Sequence, residues 1–209
     1  MTKNDGVVVR APKRVSKTQI AKILIEKQAW ISKKVAYISG LPQKKAKEYV
    51  DGETHLYLGE NFRLRVVNAK NRNALIQGSE IIVESSTPNN SVSVRTILNL
   101  WYKKQSRELI THLAEEVFNN FNIRHGLPNP TLTFKDLKRR WGSCSSKGQI
   151  VLNINLIKTP KECIEYVLMH EYCHLVHHNH SKAFYSLLQE YTPNWKQLKK
   201  TLDLYDNLM

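Results

Sequence analysis

Cysteine is scarce in this chain of 209 residues: Cys144, Cys163 and Cys173 are the only three, and no C-x-x-C spacing joins them. An odd count without paired spacing argues against a disulfide framework and leads to the expectation of a reducing, cytoplasmic setting. Long apolar runs are missing as well. No N-terminal stretch has the length of an export signal, and none approaches the roughly 20 apolar residues needed to cross a bilayer, so no membrane partner is expected. Acidic residues are few, 18 against 32 lysines and arginines, which leaves a net charge of +14. The excess is local: residues 1–47 hold twelve of the basic residues against Asp5 and Glu26. Such a segment attracts nucleic acid, nucleotides or an acidic partner at long range. Lys22, Lys27, Lys33 and Lys34 interleave with Ile20, Ile23, Leu24, Trp30 and Ile31, however, and the simpler reading is the solvated face of an amphipathic helix.

What is present is enough apolar residue, 41%, for a real core. Residues 1–15 read as a mobile arm or an edge strand, and 17–38 as the basic helix. From Tyr49 the period falls to two, with Leu56, Leu58, Phe62, Leu64 and Val66 set among polar residues, and two short strands follow around Ala74 to Gln77 and Glu80 to Glu84. These predict a small antiparallel sheet. Residues 85–91, with Pro88 and two asparagines, form the clearest linker. A long helix is expected over 92–123, because Val94, Leu98, Trp101, Leu109, Leu113, Val117 and Phe121 recur at helical spacing. Alternation returns in 131–134, 140–145 and 150–157, and helices follow from Ser181 and from Thr192-Pro193. Neither an internal repeat nor a low-complexity tract is found.

The chemistry sits in residues 166–184, which read Y-V-L-M-H-E-Y-C-H-L-V-H-H-N-H-S-K-A-F. In a helix His170 and His174 stand on one face, since four residues advance the turn by roughly 400° and about 6 Å. Two imidazoles so placed grip one metal ion, and Glu171 beside the first reaches a metal-bound water without being a ligand. His180 is the natural third ligand. Three protein ligands with a fourth position for water describe a catalytic zinc site, whereas four protein ligands close a structural one. The helix is apolar nearly all round, from Ile164 to Val176, and an ionised Glu171 buried there calls for a nearby cation or strong donors. Thr159, Pro160 and Glu162 read as its N-cap, its first residue and half of a capping box. Cys173 turns away from both histidines and reads as a small buried apolar residue.

The order of the pieces Arg140-Trp141-Gly142-Ser143-Cys144-Ser145, Leu152-Asn153 with Leu156, Tyr166-Val167, H-E-x-x-H, Asn179-His180-Ser181 with Phe184, and Pro193 with Trp195 resembles the YgjP-like metal-dependent hydrolases, relatives of the SprT-type and WLM-type metalloproteases. The resemblance covers most of 49–205. It implies a compact zincin-like domain with the metal on His170, His174 and His180 and with Glu171 catalytic. The third histidine is spaced as in metzincins, but His177 stands where those carry glycine, and the only methionine after His180 is Met209, so that label fails. A gluzincin arrangement would instead recruit Glu190 from the next helix.

The fold class expected is α+β. A basic helix and a small antiparallel sheet occupy 1–90. A minimal zincin-like metallopeptidase domain occupies 91–209, built from the long helix, a three-strand antiparallel sheet, the H-E-x-x-H helix and C-terminal helices. Zinc, one per chain, is the expected cofactor, with other divalent metals able to occupy the site. Held by neutral imidazoles it lowers the pKa of bound water toward about 7, and Glu171 acts as general base. Arg140, Trp141, Gly142, Ser143, His177 and His178 are the candidate substrate-binding residues, since an exposed strand edge takes up an extended peptide and Gly142 allows close backbone approach. The leading function is a zinc-dependent metallopeptidase with a peptide or protein substrate. The alternatives are a metal-dependent phosphohydrolase acting on nucleoside triphosphates and a nucleic-acid-binding module with structural zinc. Substrate and oligomeric state are not legible in the sequence.

Overall fold

The computed structural model describes residues 7–40 and 46–208, and the chain forms two units, 1–45 and 46–209. In the first, α1 (Lys17–Glu26) and α2 (Gln28–Gly40) follow one another. Ser16 caps α1 through a capping box: its hydroxyl accepts from the Gln19 N–H at 3.2 Å, while the Gln19 side chain accepts from the Ser16 N–H at 3.0 Å. The single helix expected over 17–38 is broken at Lys27, whose ψ of 4° leaves the helical region. No glycine or proline marks that break, so the apolar periodicity runs straight through it. Residues 7–15 form no strand, and residues 1–6 lie outside the described part. None of the described residues of this unit is buried, and the lysines and arginines among them are exposed.

The second unit carries two small sheets, joined by α3 (Ser91–Asn122). The first holds β1 (Thr54–Tyr57), β2 (Glu60–Asn68), β3 (Asn73–Gln77) and β4 (Glu80–Ser85), in the order β1-β2-β4-β3. The second holds β5 (Thr131–Lys135), β6 (Gly142–Cys144) and β7 (Gln149–Asn153), in the order β5-β7-β6. Neither sheet is purely antiparallel as expected. β2 runs parallel to β4, and β5 runs parallel to β7. One physical rule accounts for both. The strand with the most buried side chains takes the middle: β4 with Ile81, Val83 and Ser85, and β7 with Ile150, Leu152 and Asn153. Its hairpin partner is pushed to the edge, and the central strand lands parallel to the one before the hairpin. The boundary expected near residue 90 falls inside this unit, where the linker leads from β4 into α3.

About 48 Å long, α3 supports both layers. Val94, Ile97, Leu98 and Trp101 in its first half pack on Leu64, Ala74, Ile81 and Val83. Ile110, Leu113, Ala114, Phe118 and Phe121 in its second half pack on β7 and on α4 (Lys161–Val176). Asn90 starts the helix by accepting from the N–H groups of Val92 and Ser93. β7 is shorter than expected, because the chain turns at Asn153 into a 3₁₀ helix, Ile154–Lys158. That turn is where the first sheet attaches. The Leu58 N–H donates to Ile157 O at 2.8 Å and the Gly59 N–H to Lys158 O at 3.2 Å.

Gly59 lies at φ +83°, and a β-carbon there would stand 2.8 Å from Pro160 Cγ and 3.0 Å from its nitrogen. Both the left-handed backbone and the missing side chain are therefore needed at this joint. Gly59→Ala is expected to destabilise the unit by about 3 kcal/mol, lowering Tm by roughly 6–12 °C in a thermal melt. An unchanged Tm would show that the joint yields. No helix among the described residues is long and apolar enough to cross a membrane. A cavity of about 390 Å³ lies between β3 and α3, walled by Ala74, Ile97, Trp101 and Lys104 among others, and no histidine reaches it.

Candidate metal centre

α4 starts from Pro160, without the capping box expected. Thr159 is taken by the preceding 3₁₀ turn, its hydroxyl donating to Leu156 O at 2.8 Å, so its side chain is not free to cap the next helix. Burial, not capping, holds α4 in place: Cys163, Ile164, Leu168 and Cys173 are fully enclosed, and the Tyr172 hydroxyl donates to Ala114 O at 2.8 Å on α3. After Val176 the chain runs through four residues to Ser181, which caps α5 (Lys182–Tyr191) by accepting from the Phe184 N–H. That loop returns His180 to the face of α4 that carries His170 and His174.

The three Nε2 atoms converge. His180 Nε2 lies 3.1 Å from His170 Nε2 and 3.2 Å from His174 Nε2, and all three donors fall within 4.8 Å of one another. Three ligands on a tetrahedral zinc ion at about 2.05 Å would be separated by roughly 3.3 Å, so the donor set fits that ion. Protonation agrees with it. Burial, then the neighbouring His174 and His180, drive the His170 imidazolium down to about 3, and burial lowers His174 as well. Neutral rings keep the lone pairs that a metal needs. The His174 Nδ1–H donates to His177 O at 3.0 Å. A carbonyl only accepts, so this bond fixes the tautomer and leaves Nε2 free for the ion. His170 Nδ1 is buried with no acceptor among the described residues.

Phe184 forms the floor. Fully buried, its ring lies 5.0 Å from His170, 4.6 Å from His174 and 4.8 Å from His180, centroid to centroid. Beyond it Tyr185 stacks between His180 and Trp195, on α6 (Trp195–Asp203). In the sequence Phe184 enters only through the resemblance, beside Asn179-His180-Ser181, with no role attached to its ring.

Glu171 is 4% exposed, and its Oε2 has no partner among the described residues. Burial pushes its carboxyl up to about 8, against the pull of Arg140. Desolvation of the charged form is the main cause of that rise.

The other candidates separate. Gly142, Ser143 and Cys144 form β6, the edge strand beside α4, with Arg140 exposed just before it. Trp141 turns into the core instead, 8% exposed, and donates from Nε1 to Asp206 at 3.1 Å. His177 contributes its carbonyl, and His178 is exposed at the loop. Glu190 pairs with Arg124 and stands outside the donor group. Asn153, fully buried, spans the turn: its Nδ2 donates to Leu137 O at 2.8 Å and to Arg140 O at 3.0 Å, anchoring the segment that enters β6. Cys173 is buried as expected.

None of the curated proteins matches this chain. Among solved structures, the metallopeptidase zymogen jannalysin of Methanocaldococcus jannaschii is similar over 48% of this chain and 97% of its own, at 22% identity and a TM-score of 0.39. The metallopeptidase zymogen abylysin of Pyrococcus abyssi is similar over 44% and 90%, at 23% identity and a TM-score of 0.39. The family match is far broader, running over residues 1–205. By that match the chain belongs to the YgjP-like family, as a metallopeptidase domain.

Proposed function

We propose that this chain is a zinc-dependent peptidase that hydrolyses peptide bonds with Glu171 as general base. The observation that carries the reading is the convergence of three imidazole nitrogens, with the buried carboxyl of Glu171 next to the first of them in the chain. His170, His174 and His180 would hold the ion, and an all-imidazole set suits zinc among the common divalent metals. Bound there, zinc supplies a Lewis acid for the substrate carbonyl and lowers the pKa of a water molecule. Glu171 takes the proton from the attacking water on a carboxylate oxygen and delivers it to the departing amine nitrogen. β6, at the edge of its sheet, pairs with an extended peptide through main-chain hydrogen bonds, which places the scissile bond over the imidazoles. Arg140 lies close enough to Glu171 to influence its charge, and draws negative charge developing in the cleft.

The test is a panel of unstructured peptides and nucleoside triphosphates, offered to zinc-loaded and to chelator-stripped protein. Peptide cleavage that vanishes on stripping and returns with zinc, with no phosphate released, is the expected result. Phosphate release without cleavage, or cleavage indifferent to the chelator, would overturn the proposal.

A further inference from the structure

Gly142 has no backbone reason to be glycine. It pairs with Leu152 in the regular antiparallel register of β6 and β7, and it is absent from the residues at positive φ. A glycine inside a strand weakens it, so something else must require the missing side chain. A β-carbon at this position would stand 2.6 Å from Glu171 Oε1, 3.0 Å from Cγ and 3.1 Å from the carboxyl carbon. Unbonded carbons rest at about 3.5–4.0 Å. The space that a side chain would fill is therefore occupied by the carboxyl group of Glu171.

The backbones on both sides of this contact are held. The Asn153 N–H donates to Trp141 O at 2.8 Å and its side chain holds Arg140 O, so the main chain just before Gly142 is tied from two sides. Glu171 sits on a helix buried between Leu168 and Tyr172, itself anchored to α3. Gly142 and Cys144 share one face of β6, because alternate residues in a strand point the same way.

We infer that Gly142 is the positioning residue for Glu171: its absent side chain sets where the carboxylate stands relative to the three imidazoles. The inference deepens the proposed peptidase reading and rests on it for its effect on turnover. Its effect on packing stands independently.

The experiment compares the full chain with Gly142→Ala, Glu171→Ala and the double variant. Gly142→Ala is expected to lower Tm by about 3–6 °C in the native background and by less than about 1 °C when residue 171 is alanine, because the conflicting group is gone. Peptide turnover of Gly142→Ala should fall about 100-fold, with KM within about twofold of wild type and with bound zinc unchanged. An equal loss of Tm in both backgrounds would show that Glu171 does not set the space, and turnover at the wild-type level would show that the carboxylate is not placed by it. A single variant too unstable to purify supports the inference if the double variant folds, and counts against it if the double variant fails too. Since the thermal comparison needs neither substrate nor metal, it decides the contact even if no peptide is cleaved by wild type.

Discussion

Peptide cleavage by Glu171→Gln is expected to drop about 10³-fold while bound zinc stays at about one per chain. Glutamine has the shape of the protonated acid, so it fits against Gly142 and leaves the imidazoles undisturbed, but it cannot accept a proton. A variant that kept more than a tenth of wild-type turnover would remove Glu171 from the chemistry. The same substitution has a signature in the metal-free chain. The Glu171 carboxyl is raised from 4.5 to about 8 by burial, so the folded form holds a proton that the unfolded form releases. Its contribution to stability is present below pH 4.5 and is lost as pH rises toward 8. His170 works in the opposite sense: with its pKa lowered to about 3, the fold loses stability as pH falls below 6.5. From about pH 7.5 to 8 His170 is largely neutral in both states, and there the wild type should lose Tm with rising pH more steeply than Glu171→Gln. Parallel melting curves would place the raised carboxyl elsewhere.

The double variant His170→Ala with His174→Ala should lose nearly all bound metal, from about one zinc per chain to less than about a tenth, along with peptide cleavage. Two of the three nitrogens that converge at 3.1 and 3.2 Å are removed, and His180 alone holds no ion tightly. Phe184 loses two of the rings it packs against, so circular dichroism and a melt must accompany the metal analysis to show that the helix persists. Zinc retained in a folded double variant would mean that the ion is held by other residues.

How far the sequence reveals this site depends on which groups do the work. His170 and His174 are legible because helix pitch turns a spacing of four into a shared face, and Ser181 is legible as the start of the helix that follows His180. The long α3 is legible because its apolar residues keep one period from Val94 to Phe121. Strand direction is not, because a parallel and an antiparallel neighbour bury the same alternate residues, and only the competition between β3 and β4 for the middle place decides it. Thr159 reads as a cap for α4, and nothing in the local pattern shows that the turn before it claims the hydroxyl first. Gly142 reads as room for an approaching backbone, but in the fold that room is filled from α4.

The bond from the His174 ring to His177 O has a consequence of another kind. Every amino acid brings the same carbonyl to position 177, so exchanging its side chain leaves the acceptor standing. The orientation of that imidazole is thus written in the path of the chain as it leaves the helix, and a survey of side-chain replacements would pass over the group that sets it.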